Sequence, residues 1–331
     1  MRAQTCVLVS VLFVTAAAAA SACGPSSTGD GDDDNGGGGD GGGTGSGGPD
    51  APWPTDDGDG GTNADGCAKI DVLFVVDNSG SMAQEQMNLG TNFPMFLSVL
   101  DTSGLDYRVA ITTTGMNYTY NQASPIPGFP AIPVSQNGGD NGAMLQPSGC
   151  GMTRRWIEKN DANAASAFAC AAAVGTGGPG DEMPLAAMRT AFEERMADNT
   201  NAGFRRQDAL LAVVILTDEN DCSYEAPVTL SFAESLCDSQ MEPPANYSTF
   251  LDQYTGDHGR WAVATIAGPG PGPCTSAFGD ADYAERLVQF SSTAGTSNAL
   301  VSSICAGDLT AGLTDALELF DTACDNFPPI D

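Results

Sequence analysis

Residues 70–82 read Ile-Asp-Val-Leu-Phe-Val-Val-Asp-Asn-Ser-Gly-Ser-Met. The apolar run at 72–76 is rich in β-branched side chains, which is typical of a strand buried on both faces of a parallel sheet. Asp77, Ser79 and Ser81 follow this run. Open α/β sheets place their binding sites at the carboxyl ends of such strands. The stretch therefore predicts a central parallel strand that ends in a set of oxygen ligands.

A second apolar run has the same form. Residues 209–217 read Ala-Leu-Leu-Ala-Val-Val-Ile-Leu-Thr, and Asp218 follows them directly. A continuous apolar run of this length predicts another central parallel strand, here with an acid at its end.

The other elements alternate between strand and helix patterns. Gly90 and Pro94 predict a break or kink in the first helix. Asp181 and Glu182 are expected in the first turn of a later helix, where carboxylates favour the helix dipole. The alternation indicates an α/β fold, a doubly wound and mostly parallel sheet with helices on both faces. Strands are expected at 107–113, 261–266 and 299–302, and helices at 82–100, 162–174, 181–196, 283–290 and 310–320.

The 331 residues divide by composition into three parts. Residues 1–22 have the form of an export signal, with a basic residue, an apolar segment and small residues at the end. Residues 23–66 are rich in Gly and Asp and offer little to bury, so they are expected to form a disordered tether. Residues 67–331 are expected to form one domain, with an insertion at about 115–170 that is rich in Asn, Pro and Gly in its first part.

The charge balance limits the class of partner. The chain carries 12 Lys and Arg against 42 Asp and Glu, a formal net charge of −30. Nucleic acids and anionic lipid surfaces bind through positive charge, so neither is expected as a partner. Cations are the small partners that this balance favours.

Cys23 is the expected point of attachment to a membrane. Ala20-Ser21-Ala22-Cys23 resembles the lipobox of bacterial lipoproteins, in which the cysteine is lipidated and becomes the first residue. Of ten cysteines, Cys6 would leave with the signal, and a lipid on Cys23 would leave an even set of eight. This predicts an exported protein held at the outer membrane or cell surface by its lipid alone. Ordinary signal cleavage would instead give a soluble secreted protein.

The motif Asp77-x-Ser79-x-Ser81 after a buried strand resembles the metal-ion-dependent adhesion site of von Willebrand factor type A domains. The resemblance covers about residues 67–324 and implies the doubly wound fold of that family. Sites of this family take ligands from three loops, and the resemblance implies Asp77, Ser79 and Ser81 in the first, Thr176 in the second and Asp218 in the third.

This ligand set implies a divalent cation. Hydroxyl and carboxylate oxygens suit Mg²⁺ first, with Mn²⁺ or Ca²⁺ as alternatives, and include no sulfur or imidazole for zinc. The resemblance further implies a role in adhesion or protein–protein interaction, in which the cation binds an acidic group of a protein ligand. A plainer alternative is that Asp77 and Ser79 only cap the following helix.

The eight remaining cysteines contain no Cys-x-x-Cys, which disfavours a zinc site, and in an exported protein they are expected to form disulfides. Eight cysteines allow 105 pairings. Because domains of the resembled kind bring their termini together, Cys67 is expected to pair with Cys324. The other favoured pairs are Cys150 with Cys170, Cys222 with Cys237, and Cys274 with Cys305.

Two further functions remain open. The protein could be a structural or envelope-assembly protein in which the metal only organises the loops and the insertion makes the contacts. It could also be a metal-dependent hydrolase. An enzyme is not expected, because the chain has a single histidine, His258, and no nucleophile-elbow motif.

Overall fold

The computed structural model of the chain describes residues 66–224, 228–238 and 241–329. The expected signal peptide, the expected lipidation site Cys23 and all but the last residue of the expected tether lie outside these ranges. Within them, no helix combines the length and the apolar character that crossing a bilayer requires.

Strands and helices alternate along the described chain. The strands are β1 (Lys69–Val76), β2 (Asp106–Thr113), β3 (Tyr118–Gln122), β4 (Ile132–Gln136), β5 (Trp156–Glu158), β6 (Leu210–Leu216), β7 (Thr229–Leu230), β8 (Trp261–Ala267), β9 (Cys274–Ser276), β10 (Gly279–Ala281) and β11 (Ala299–Ser303). The helices are α1 (Ala83–Thr102), α2 (Ala164–Ala172), α3 (Pro184–Phe192), α4 (Glu194–Ala197), α5 (Ala245–Thr255), α6 (Glu285–Ala294) and α7 (Thr310–Asp325).

Six strands form the main sheet, in the order β11-β8-β6-β1-β2-β5. All neighbours pair in parallel except β5, which runs antiparallel to β2 at one edge. The two strands predicted as central, β1 and β6, are adjacent. The chain winds outward from β1 in both directions, so the predicted mixed α/β fold with a mostly parallel sheet is confirmed.

The main sheet lies between two layers of helices. Phe74 and Val76 of β1 pack on the face covered by α1, α2 and α7, whereas Leu73 and Val75 pack on the face covered by α3, α5 and α6. All seven residues of β6 are buried as well. Burial on both faces explains why these two strands read as continuous apolar runs rather than as alternating ones.

Two local expectations differ from the structure. Helix α1 runs unbroken through Gly90 and Pro94. Helix α3 begins at Pro184, so Asp181 and Glu182 precede the helix rather than forming its first turn. Proline is favoured at the first helical position because its missing N–H has no partner there in any case.

The insertion contains structure that the sequence pattern did not predict. Strands β3 and β4 pair in antiparallel, and β7 adds to β3 in parallel to give a small separate sheet. Strand β5, near the end of the insertion, joins the edge of the main sheet.

All four predicted disulfides are confirmed, Cys67–Cys324, Cys150–Cys170, Cys222–Cys237 and Cys274–Cys305. At the junction of the domain ends, the Cys67 N–H also donates to the carbonyl oxygen of Cys324 at 3.1 Å. Several disulfides in one chain are typical of a protein exported to an oxidising compartment.

Candidate metal centre

Asp77 lies at the end of β1, where the structure brings together the loops that follow three strands. It is fully buried. One carboxylate oxygen, Oδ1, accepts from the Ser79 N–H at 2.7 Å, and the other, Oδ2, accepts from the Thr217 hydroxyl at 2.6 Å. The Gln86 side chain donates to the Asp77 carbonyl oxygen at 2.8 Å. The carboxylate is therefore held in one orientation by the loops after β1 and β6.

The first loop presents its two hydroxyls side by side. The Oγ atoms of Ser79 and Ser81 are 3.2 Å apart, with Ser79 buried and Ser81 exposed. Helix α1 begins only at Ala83, and Asp77 bonds within the loop instead of to an amide of the first helical turn. Within the described chain, the geometry at Asp77 and Ser79 is therefore not that of a helix cap.

Asn78, in the same loop as Asp77 and Ser79, packs against the loop that precedes α3. Its carbonyl oxygen accepts from the Gly178 N–H at 2.9 Å. A Cβ at Gly178 would overlap the side-chain amide of Asn78, so a larger residue there would force this buried amide to move.

Asp218 faces the same place from the end of β6. It is 6% exposed, and its Oδ1 has no hydrogen-bond partner. Burial raises the pKa of Asp218, and the Ser81 hydroxyl beside it opposes the shift. A buried carboxylate oxygen without a donor is costly, so this atom marks where a cation would be stabilised.

Glu182 is a site residue that the sequence analysis did not identify as a ligand. It is fully buried, with Oε2 accepting from the Thr114 hydroxyl and Oε1 without a partner. The sequence feature that could have identified it is Pro184. Proline is favoured at the first helical position, so it indicates that α3 begins there and that Glu182 lies in the preceding loop.

The Thr176 side chain is exposed and lines a cavity with Gln86, Met87 and Gly90 of α1, whereas Ser81 and Asp218 line a different cavity. Among the described residues, no hydrogen bond joins Thr176 to the other four predicted ligands. Its neighbour Gly175 nevertheless lies close to Asp77, because the Gln86 side-chain amide donates to the carbonyl oxygens of both.

The site is strongly acidic. Its outer cavity, of about 260 Å³, is lined by Ser81, Asp218, Glu219, Asp280 and Asp282, among other residues. Burial raises the pKa of Glu219 to about 7, with further increases from Asp77 and Asp218. Burial also raises the pKa values of Asp77 and Glu182.

The carboxylates of this site lack basic partners. Within the part of the chain that the structure describes, no ion pair joins Asp77, Glu182, Asp218 or Glu219 to a Lys, Arg or His. The oxygen donors suit a hard divalent cation, which would supply the missing positive charge.

A second cluster of potential ligands does not fit a metal. Asp181, Cys222 and Cys237 place a carboxylate oxygen and two sulfur atoms within 4.8 Å of one another. The two cysteines form a disulfide, so neither offers the thiolate that binds a metal.

No family model and no curated protein matches the chain. Among solved structures, proximal thread matrix protein 1 from the mussel byssus is 10% identical, with 77% of this chain and 49% of that chain covered and a TM-score of 0.39. A pilus adhesin from Streptococcus pneumoniae is 13% identical, with 47% and 21% covered and a TM-score of 0.28. The matches thus span about half of the first protein and about a fifth of the second. At these TM-scores, neither likeness carries an argument about function.

Proposed function

We propose that the domain is of the von Willebrand factor type A kind. In this proposal it binds a divalent cation through Asp77, Ser79, Ser81 and Asp218, and through that cation an acidic group of a protein ligand. The observation that carries the proposal is the unpartnered Oδ1 of Asp218, buried beside the other three side chains. When bound, the cation would act as a Lewis acid with a coordination position open to the ligand.

The residues of the site would perform separate tasks. Asp77, locked by the Ser79 amide and the Thr217 hydroxyl, would supply negative charge in a fixed place. Ser79 and Ser81 would offer neutral oxygens, and Asp218 a carboxylate at the border of the outer cavity. Mg²⁺ is the first choice because it is commonly held by one or two protein carboxylates with other positions left to water or ligand.

The proposal is tested by calorimetric titration of Mg²⁺, Mn²⁺ and Ca²⁺ into the full oxidised chain after treatment with EDTA. We expect saturable binding at one site, lost in Asp218→Asn and kept in Glu318→Gln, which removes an exposed carboxylate from α7. Retention on immobilised Glu-containing peptides, compared with their Gln counterparts, should depend on the cation. Equal binding by Asp218→Asn and the wild type would refute the site.

A second candidate is that the cation only organises the loops. The acidic lining of the outer cavity favours it, because Glu219, Asp280 and Asp282 would repel an incoming carboxylate. In that case the cation should raise the melting temperature without any retention on Glu-containing peptides. Asp77→Ala would then lower stability broadly instead of removing ligand binding alone.

Attachment to the cell surface is a separate part of the proposal and rests on the sequence alone. We propose a lipid on Cys23 and a tether formed by residues 23–66. Mass spectrometry of the mature amino terminus tests it, since an acylated Cys23 is expected and an unmodified amino terminus would contradict it.

A further inference from the structure

Glu182 is fixed at the meeting point of three loops. Thr114, whose hydroxyl donates to Glu182 Oε2, follows β2, and its N–H donates to the Val76 carbonyl oxygen at 3.1 Å. The Glu182 carbonyl oxygen accepts from the Cys222 N–H at 2.7 Å, in the loop after β6. Backbone and side-chain bonds therefore hold Glu182 against the ends of the same strands that deliver Asp77 and Asp218.

The second oxygen of this carboxylate has no donor. Glu182 is 0% exposed, and its Oε1 has no hydrogen-bond partner. After burial, the charge of Asp77 is the largest cause of its raised pKa, and the charges of Glu219 and Asp218 contribute as well. The side chain thus lies among carboxylates, an arrangement that is unfavourable unless a positive charge lies between them.

The backbone next to Thr176 is bonded to α1, while the Thr176 side chain faces solvent. Gln86 of α1 binds the neighbouring Gly175 twice, accepting from its N–H at 3.2 Å and donating to its carbonyl oxygen at 2.8 Å. These bonds fix the backbone beside Thr176 against α1, and the side chain is exposed there. The five residues between Thr176 and Glu182 then carry the loop back to the strand ends.

We propose that Glu182, and not Thr176, supplies the protein oxygen of the loop before α3 to the cation. The inference rests on the proposed cation site and names a ligand of it. Two buried oxygens without donors, Oε1 of Glu182 and Oδ1 of Asp218, then share the cation as their partner.

Glu182 would be the third carboxylate of the site and would change its net charge. Three ionised carboxylates carry more negative charge than a divalent ion neutralises, so the occupied site keeps a negative charge. Greater ligand charge strengthens the hold on the cation and tunes its affinity. The same charge weakens the attraction for an acidic partner, which shifts the balance toward the second candidate function.

Glu182→Gln and Thr176→Ala, in the full oxidised chain, test the assignment by calorimetry with Mg²⁺, Mn²⁺ and Ca²⁺. We expect Glu182→Gln to raise the dissociation constant by about tenfold or more and Thr176→Ala to leave it within about twofold. The reverse order, or wild-type affinity in Glu182→Gln, overturns the inference while leaving the cation site intact. Failure of the wild type to bind any of the three ions overturns both.

Thermal melting of the ion-free proteins gives an independent readout. Glutamine keeps the acceptor for the Thr114 hydroxyl and cannot ionise among the neighbouring carboxylates, so Glu182→Gln should melt at or above the wild-type temperature without ion. Adding the cation should raise the melting temperature of the wild type more than that of the variant. A variant that melts lower without ion, or that fails to fold, shows that Glu182 is a structural residue and overturns the inference.

Discussion

The Asp77 N–H donates to the carbonyl oxygen of Leu216 at 2.9 Å. This bond extends the parallel pairing of β1 with β6 by one step, so the two chains leave the main sheet side by side. Asp77 and Asp218 therefore lie at the same edge of the sheet, although 140 residues of sequence separate Asp77 from Thr217, the residue just before Asp218.

Gly178→Ala should weaken cation binding. Its Cβ would overlap the side-chain amide of Asn78 and force this buried side chain, which precedes Ser79, to move. Gly177→Ala is the matched control, because a Cβ there meets no atom within 4 Å. Calorimetric titration of both variants should give an affinity at least about tenfold lower for Gly178→Ala and an unchanged one for Gly177→Ala. Equal affinities would show that the packing of Asn78 does not shape the site.

The stability of the ion-free chain should fall as pH rises. The pKa of Glu219 is about 7 in the folded chain against an ordinary value of 4.5, so the folded state holds a proton that the unfolded state releases. Its contribution to the free energy of unfolding is therefore full below pH 4.5 and is lost as pH approaches 7. Burial shifts the pKa values of Asp77 and Glu182 in the same direction.

Thermal melting in EDTA across this pH range measures the effect. Glu219→Gln should flatten the decline, since the amide does not titrate, and Glu318→Gln should leave it unchanged. A divalent cation at neutral pH should restore the lost stability. A stability that rises with pH would contradict the assignment of buried, unpaired carboxylates.

Arg286→Met should destabilise the fold strongly. Both carboxylate oxygens of the buried Asp221 accept hydrogen bonds. Oδ2 accepts from Arg286 Nε at 3.1 Å and from Arg286 Nη2 at 3.0 Å. Oδ1 accepts from the Leu185 N–H at 3.2 Å. Removing the guanidinium leaves a buried charge without its partner, which costs about 3 to 5 kcal/mol. Urea denaturation of the oxidised chain measures this loss.

Two comparisons make this result specific. Arg195→Met breaks the solvent-screened ion pair with Asp198 and should change the free energy of unfolding far less than Arg286→Met does. The double variant Arg286→Met, Asp221→Asn should recover part of the loss, because no charge is left unpaired. A single-variant loss as small as that of Arg195→Met would rule out a structural role for the buried pair.

Replacing both Cys67 and Cys324 by serine should lower the free energy of unfolding by about 2 to 5 kcal/mol. This disulfide joins positions 257 residues apart, so its loss releases a long loop in the unfolded chain. Replacing Cys150 and Cys170, which are only 20 residues apart, should lower the free energy of unfolding by less. Urea denaturation of the two double variants tests the order, and a larger loss for the short loop would contradict it.

The sequence predicted five of the six main-sheet strands and the four disulfides, and it missed the short edge strand β5. The candidate ligands Asp77, Ser79, Ser81 and Asp218 follow two of the predicted strands. Continuous apolar runs identify β1 and β6, and Asp77, Ser79 and Ser81 form a compact motif. The helices on the two faces were harder to delimit. Only Pro184 indicates that α3 starts after Glu182, and helix α5 has no strong apolar periodicity.

The remaining site features depend on tertiary contacts. Glu182 becomes a site residue because Thr114 and the loop after β6 hold it, and neither is near in sequence. Asp221 reads as a turn former beside Asn220, yet Arg286 makes it a buried ion pair. The resemblance assigned Thr176 to the second ligand loop, whereas in the structure its side chain is exposed and Gln86 of α1 bonds to the neighbouring Gly175.

The disulfide between Cys67 and Cys324 also has a mechanical consequence. Cys67 lies two residues before β1, and Asp77 follows the opposite end of that strand. A pulling force that enters the domain at Cys67 crosses the covalent bridge to the last turn of α7 before it can peel β1 from its neighbours. When the opposing force acts beyond Cys324, the bridge carries the load and the chain between the two cysteines is not extended. For a load in that direction, the edge of the sheet that carries the candidate metal centre would keep its shape for as long as the bridge remains oxidised.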